Sequence, residues 1–232
     1  MASSSISSST AEIQTPHGVK KIHVCKDGNT DNEEWIDIYE VSFPPSQRQD
    51  LDDLRRQLKA GTMELDETRD EEGDIFCMTI TEVFGAQPDS NDPSFLLACY
   101  TAVVPELRGL GIGTVHRRKL VELLEQEYSS FIGNFSEIES TKEKGLDEAT
   151  MTTRVRRKNF FLKLGLQPID INYLFPSYTE SGEHLQGELL WVPFTDEPLT
   201  KDIIADVLKR IYTEGYGLKP NDPFISRMLA QL

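Results

Sequence analysis

Residues Val103 to Thr114 read V-V-P-E-L-R-G-L-G-I-G-T. An apolar run, Phe95 to Ala102, precedes them and reads as a buried strand. His116 to Tyr128 follows, with Leu120, Val121, Leu124 and Tyr128 at helical spacing. Arg108, Gly109, Leu110, Gly111, Ile112, Gly113 and Thr114 therefore lie where a strand turns into a helix. Glycines there let the backbone take positive φ and come close to a ligand. The first helical turn offers unpaired N–H groups and the positive end of the dipole. Together these make a cradle for phosphate. The pattern is neither G-x-G-x-x-G nor G-x-x-x-x-G-K-[ST], so neither a dinucleotide turn nor a P-loop is predicted.

A second group of chemically able residues sits on a predicted strand over 131–140. Alternation puts Phe131, Gly133, Phe135, Glu137 and Glu139 on one face. Two carboxylates thus share the C-terminal end of a strand, where ligands sit in open α/β sheets. Neighbouring carboxylates raise one another's pKa, which suits a proton acceptor. The same pair also fits a solvated strand end or a binding point for a cation.

The elements that must position these residues follow from periodicity. A first strand is predicted over 19–25. A helix with Trp35, Ile36, Ile38, Tyr39 and Val41 follows a cap at Asp31-Asn32. It breaks at Phe43-Pro44-Pro45 and resumes over 50–58 with Leu51, Leu54 and Leu58 on one face. Residues 61–74 read as a polar, acidic connector with a short strand at 63–65. Alternation over 75–84 predicts a strand, and 87–93 an exposed loop. Downstream come a helix over 148–164 stopped by Gly165, a strand over 167–175, a loop over 179–186 and a strand over 188–194. Thr200 caps a last helix with an apolar stripe at Ile203, Ile204, Val207, Leu208 and Ile211. The order is β-α-(α)-β-β-β-α-β-α-β-β and then helices, which predicts an α/β chain with a mixed sheet. The expected organisation is a disordered Ser/Thr-rich tail over 1–18, one domain over 19–196 and a helical extension over 197–232.

Composition excludes several classes. A net charge of −15 argues against nucleic acid and anionic membrane surfaces as partners. Cys25, Cys77 and Cys99 are far apart and odd in number, which reads as reduced thiols in the cytoplasm. His17, His23, His116 and His184 are scattered, so no metal site is predicted. No apolar run long enough to span a membrane is present, and residues 1–20 lack the apolar stretch of a secretory signal.

Val103-x-Pro105-x-x-Arg108-Gly109-x-Gly111-Ile112-Gly113 resembles the coenzyme A signature of the GNAT N-acetyltransferase superfamily, V-x-P-x-x-R-G-x-G-I-G, at every fixed position. Further elements resemble a bacterial GNAT subgroup of unassigned substrate. They are Phe43-Pro44 with Arg48, Glu137-Ile138-Glu139, Arg157 through Asn159, Phe160 and Phe161 to Gly165, and Tyr173-x-x-Pro176.

The resemblance implies the GNAT acyl-CoA N-acyltransferase fold, a central mixed sheet flanked by helices, here with extra C-terminal helices. It also implies acetyl-CoA as cosubstrate and direct attack on its thioester by the amine of a small molecule, peptide or protein. A backbone N–H of Val103 or Val104 would polarise the thioester carbonyl, and the 108–114 turn would hold the pyrophosphate. Asn159 and Phe161 would lie against the cofactor. Glu137 or Glu139 would take the amine proton, directly or through water. The family commonly carries a Tyr, as acid for the departing thiolate, where this chain has Phe161; Tyr173 or solvent would serve instead. That departure keeps open an alternative, a GNAT-fold protein that binds acyl-CoA without turnover. A homodimer and an assembly role for the C-terminal helix also stay open.

Overall fold

The computed structural model describes residues 8–16, 18–26, 28–86, 92–176, 178 and 184–232. His17, the tip of the 87–93 loop and most of the 179–186 loop lie outside them, as does the start of the expected tail. The chain divides into two compact units. One comprises the described residues up to Val83 together with Ala98–Ser129; the other comprises Phe84–Leu97 and Ser130–Leu232.

In the first unit, β1 (Ser8–Thr15) pairs antiparallel with β2 (Gly18–Cys25) over its whole length. Composition predicts disorder there, and the structure differs because Ile13 and Thr15 alternate onto a buried face. Next come α1 (Glu34–Ser42) and α2 (Leu51–Ala60). They break at Pro44-Pro45 as predicted, and Asp50 caps α2 by accepting from the Asp52 and Asp53 amides at 3.0 and 3.1 Å.

The acidic connector contains a full strand, β3 (Met63–Asp70), between β2 and β4 (Ile75–Phe84). Its carboxylates are buried against cations. Glu67 accepts from Arg69 Nε at 2.8 Å, and Asp70 from Lys20 at 2.9 Å. The strand β5 (Phe95–Val103) begins in the second unit and ends in the first. It leads into α3 (Ile112–Glu127).

Two clusters fill this unit. Trp35, Tyr39, Leu54, Leu58 and Tyr100 pack with Met78 and Ile80 of β4. Ile13, Ile22, Phe76 and Ile112 pack with Val103, Leu107, Leu110 and Val115. The turn is thus held from below by its own apolar residues.

The second unit holds β6 (Gly133–Glu139), α4 (Glu148–Lys163), β7 (Gln167–Pro168), β8 (Leu174–Pro176) and β9 (His184–Pro193). β6, β7 and β8 each pair antiparallel with β9. The predicted strand over 167–175 is therefore two short ones: the Ile169 N–H still donates to the Leu189 carbonyl of β9 at 2.9 Å, and the chain then turns where the Ile171 N–H donates to the Ile169 carbonyl at 2.9 Å.

Helix α5 (Lys201–Arg210), a π-turn at Ile211–Gly215 and α6 (Pro223–Leu229) complete the unit. Thr200 caps α5 as predicted, accepting from the Ile203 amide at 3.3 Å. Val207, Leu208 and Ile211 are fully buried, so much of the stripe is spent inside the unit. Arg210 pins the helix: it donates to the Pro93 and Gly85 carbonyls at 2.8 and 2.9 Å and pairs with Glu214.

Candidate active site

In the first unit, β5 ends at Val103 and a single helical turn over Pro105–Leu107 lifts the chain over to Arg108. Gly109 and Gly111 then take left-handed φ values of 81° and 85°. Only glycine enters that region without a Cβ penalty. A Cβ at either position would meet nothing within 4 Å, so both glycines face open space.

Gly111 is the N-cap of α3 and makes no side-chain capping bond. Its carbonyl accepts from the Thr114 and Val115 amides at 3.0 and 3.1 Å. Of the predicted cradle, the Thr114 N–H is therefore spent within the helix, and the first-turn amides are those of Ile112 and Gly113.

The Val104 N–H donates to the Phe76 carbonyl at 3.0 Å, so between the two valines the expected carbonyl-polarising role does not suit Val104 in this arrangement. Arg108 donates from Nε to the Val103 carbonyl at 3.0 Å and from its terminal nitrogen to Ser42 Oγ at 2.9 Å. Its side chain braces the turn. Behind the turn His116 is fully buried, with Nδ1 2.8 Å from Thr68 Oγ1 and Nε2 2.8 Å from Thr79 Oγ1. Burial, followed by the adjacent Arg117 cation, holds its pKa down to about 3. The imidazole is neutral and structural.

In the second unit, Glu137 and Glu139 project from β6, and their surroundings separate them. Glu139 forms an ion pair with Arg157 of α4. Glu137 accepts hydrogen bonds from the Tyr173 hydroxyl and, at 3.0 and 3.2 Å, from the Tyr216 hydroxyl. Burial pushes the Glu137 carboxyl up to about 7, and the two phenols pull against that rise. The cause is burial, not the neighbouring Glu139 carboxylate. The Tyr173 hydroxyl is raised well above its usual value, by burial first and then by the Glu137 charge.

Tyr173 and Glu137, 36 residues apart, are thus brought together, but the phenol proton points at the carboxylate. Phe161 packs with Ile138, Leu166 and Leu190, edge-on to Phe160 at 5.1 Å. Asn159 is exposed on α4. Among the described residues no group of His, Cys, Asp or Glu could hold a metal ion, and no helix is long and apolar enough to cross a membrane.

Tyr212 and Tyr216 belong to this cluster and were not legible as site residues. The Tyr212 hydroxyl donates to the Leu174 carbonyl at 2.8 Å, and its ring stacks on Tyr173 at 6.0 Å. The one signal was their i, i+4 spacing at the end of the apolar stripe, which reads equally well as packing.

No family model matches the sequence, and no curated protein does. Solved structures do match. A protein assigned to the GNAT family of acetyltransferases, from Bacteroides thetaiotaomicron, superposes with a TM-score of 0.60 at 22% identity, over 82% of this chain and 96% of its own. NAA60 of Arabidopsis thaliana, solved in complex with acetyl-CoA, gives 0.54 at 10% identity, over 74% and 98%. An acetyltransferase structure from Acinetobacter baylyi gives 0.52 at 12% identity, over 77% and 96%. On these likenesses the chain has the fold of the GNAT-family acetyltransferases.

Proposed function

We propose that the protein transfers the acetyl group of acetyl-CoA to a primary amine by direct attack. The observation that carries this reading is the turn after β5: two glycines with left-handed φ open the N-terminus of α3, and the signature Val, Pro and Arg positions surround them. Amides of Ile112 and Gly113 would hold the pyrophosphate, with the helix dipole behind them. The acetyl-CoA in the Arabidopsis structure supports that cosubstrate.

The acceptor arrives as an ammonium and must lose a proton before it attacks. Glu137, with a pKa near 7, suits that task, since a base works best when its pKa lies near the working pH. The amine nitrogen then bonds to the acetyl carbon and sheds its second proton to solvent, while the carbon–sulfur bond breaks and the electron pair leaves on the coenzyme A thiolate. The thiolate is reprotonated by solvent or by Tyr173, which would recover its own proton from Glu137. Three cysteines outside any disulfide support a reducing compartment, and we place the reaction in the cytoplasm.

The test is calorimetry with coenzyme A, followed by thiol release from acetyl-CoA over a broad amine panel. Binding together with release is the expected result. Absence of binding by folded protein would sink the proposal. Binding without release on any amine would favour the second reading, an acyl-CoA-binding protein without turnover. Phe161, buried in the core where the family commonly has a Tyr, motivates that alternative.

A further inference from the structure

The C-terminal segment enters the Glu137 site through its irregular turn. After α5 the chain widens into the π-turn Ile211–Gly215, closed by the Tyr216 N–H donating to the Ile211 carbonyl at 3.0 Å. Such wide turns are rare and occur often at functional sites. The turn delivers Tyr216 onto both oxygens of Glu137. One turn earlier, Tyr212 donates to the Leu174 carbonyl and stacks on Tyr173, the other phenol donating to Glu137. One short segment thus holds the carboxylate directly and the neighbouring phenol indirectly. Arg210, anchored on the Phe84, Gly85 and Pro93 carbonyls, fixes where that segment starts.

If packing alone were at stake, a carboxylate would be the wrong centre for this cluster. Burying one costs free energy that an amide or an aliphatic side chain would not.

We propose that Tyr216 is a positioning residue of the acetyl-transfer site: its hydroxyl fixes the orientation of the Glu137 carboxylate, so the segment after Thr200 belongs to the catalytic apparatus. The proposal rests on Glu137 being the proton acceptor. The groups facing that carboxylate are the phenols of Tyr173, from the segment before β8, and of Tyr216, with Tyr212 behind them. Two donors fix the carboxylate in one rotamer and favour its charged form. Losing one leaves it freer and more easily protonated.

The experiment compares wild-type protein with Tyr216→Phe, following the Glu137 carboxyl by 13C NMR on full-length protein labelled at glutamate. Glu137→Gln assigns the resonance. The Glu137 titration is expected to move to higher pH, and kcat at neutral pH to fall about three- to tenfold, the worth of one hydrogen bond, with KM for acetyl-CoA unchanged. Should Tyr216→Phe fail to fold, 3-fluorotyrosine at position 216 serves instead. Its more acidic phenol donates more strongly, and the titration is expected to move to lower pH. An unmoved titration overturns the proposal, and so does a moved titration with wild-type kcat. Wild-type kcat in Glu137→Gln overturns the base assignment itself, and the separate variant tells the two failures apart.

Discussion

The Arg108 guanidinium donates to the Ser42 hydroxyl at 2.9 Å, tying the glycine turn to the last residue of α1, 66 positions earlier. The same side chain closes back on the Val103 carbonyl at 3.0 Å. An exposed arginine with two such bonds organises a loop more than it charges a pocket. Arg108→Ala should weaken coenzyme A binding about three- to tenfold, the worth of one or two hydrogen bonds. Global stability should change by less than about 1 kcal/mol, because the site is on the surface. Calorimetry and urea unfolding on the same samples check both halves.

Gly111 and Gly61 make a controlled pair. Both have left-handed φ, 85° and 72°, and a Cβ at either would meet open space. Gly61 ends α2, whereas Gly111 opens α3. Alanine at either should cost about 1–2 kcal/mol of stability through backbone strain. Only Gly111→Ala should also lower coenzyme A affinity, because only there does the strain turn the amides that would face the pyrophosphate. Equal affinity losses in the two variants would show the effect to be global.

Glu137 gives a pH dependence of known sign. Its pKa rises from about 4.5 unfolded to about 7 folded, so between those values the folded protein binds more protons than the unfolded chain. Stability contributed by this carboxyl is present at low pH and is lost as pH rises through 7. Glu137→Gln should therefore gain stability over wild type at pH 8 relative to pH 5, while losing about 10² to 10⁴ in kcat as a general base is removed. Thermal melting at the two pH values reads the first effect and steady-state kinetics the second.

These sites differ in how far sequence discloses them. The turn was legible because strand, glycines and helix are contiguous, and local chemistry dictates local shape. Glu137 was legible as one of two, since alternation gives a face but not a neighbour. Choosing it over Glu139 required knowing that Arg157 claims one carboxylate and two phenols the other. Tyr216 was hidden because a π-turn has no sequence signature and its partner lies 79 residues away. Most of strand β3, beyond the three residues predicted at 63–65, was hidden for a different reason. Acidic residues read as solvated until Lys20 and Arg69 are seen to neutralise them inside.

His116 supplies the last test, through the helix that carries the cradle. It is buried between two threonines, and its pKa falls from 6.5 in the unfolded chain to about 3. Between these values the unfolded chain binds the proton and the folded protein does not. Stability is therefore unaffected above pH 6.5 and declines as pH falls toward 3. The full effect is on the order of 5 kcal/mol, since a tenfold change in proton affinity is worth about 1.4 kcal/mol. His116→Gln keeps a side chain able to donate and accept between Thr68 and Thr79 but cannot take up a proton. At pH 7.5 it should cost about 1 kcal/mol through imperfect bonding. At pH 4.5 it should be more stable than wild type. Unfolding curves at the two pH values cross if the imidazole is held neutral by its burial; parallel curves would mean that it titrates normally, and the account of how α3 is anchored would fail.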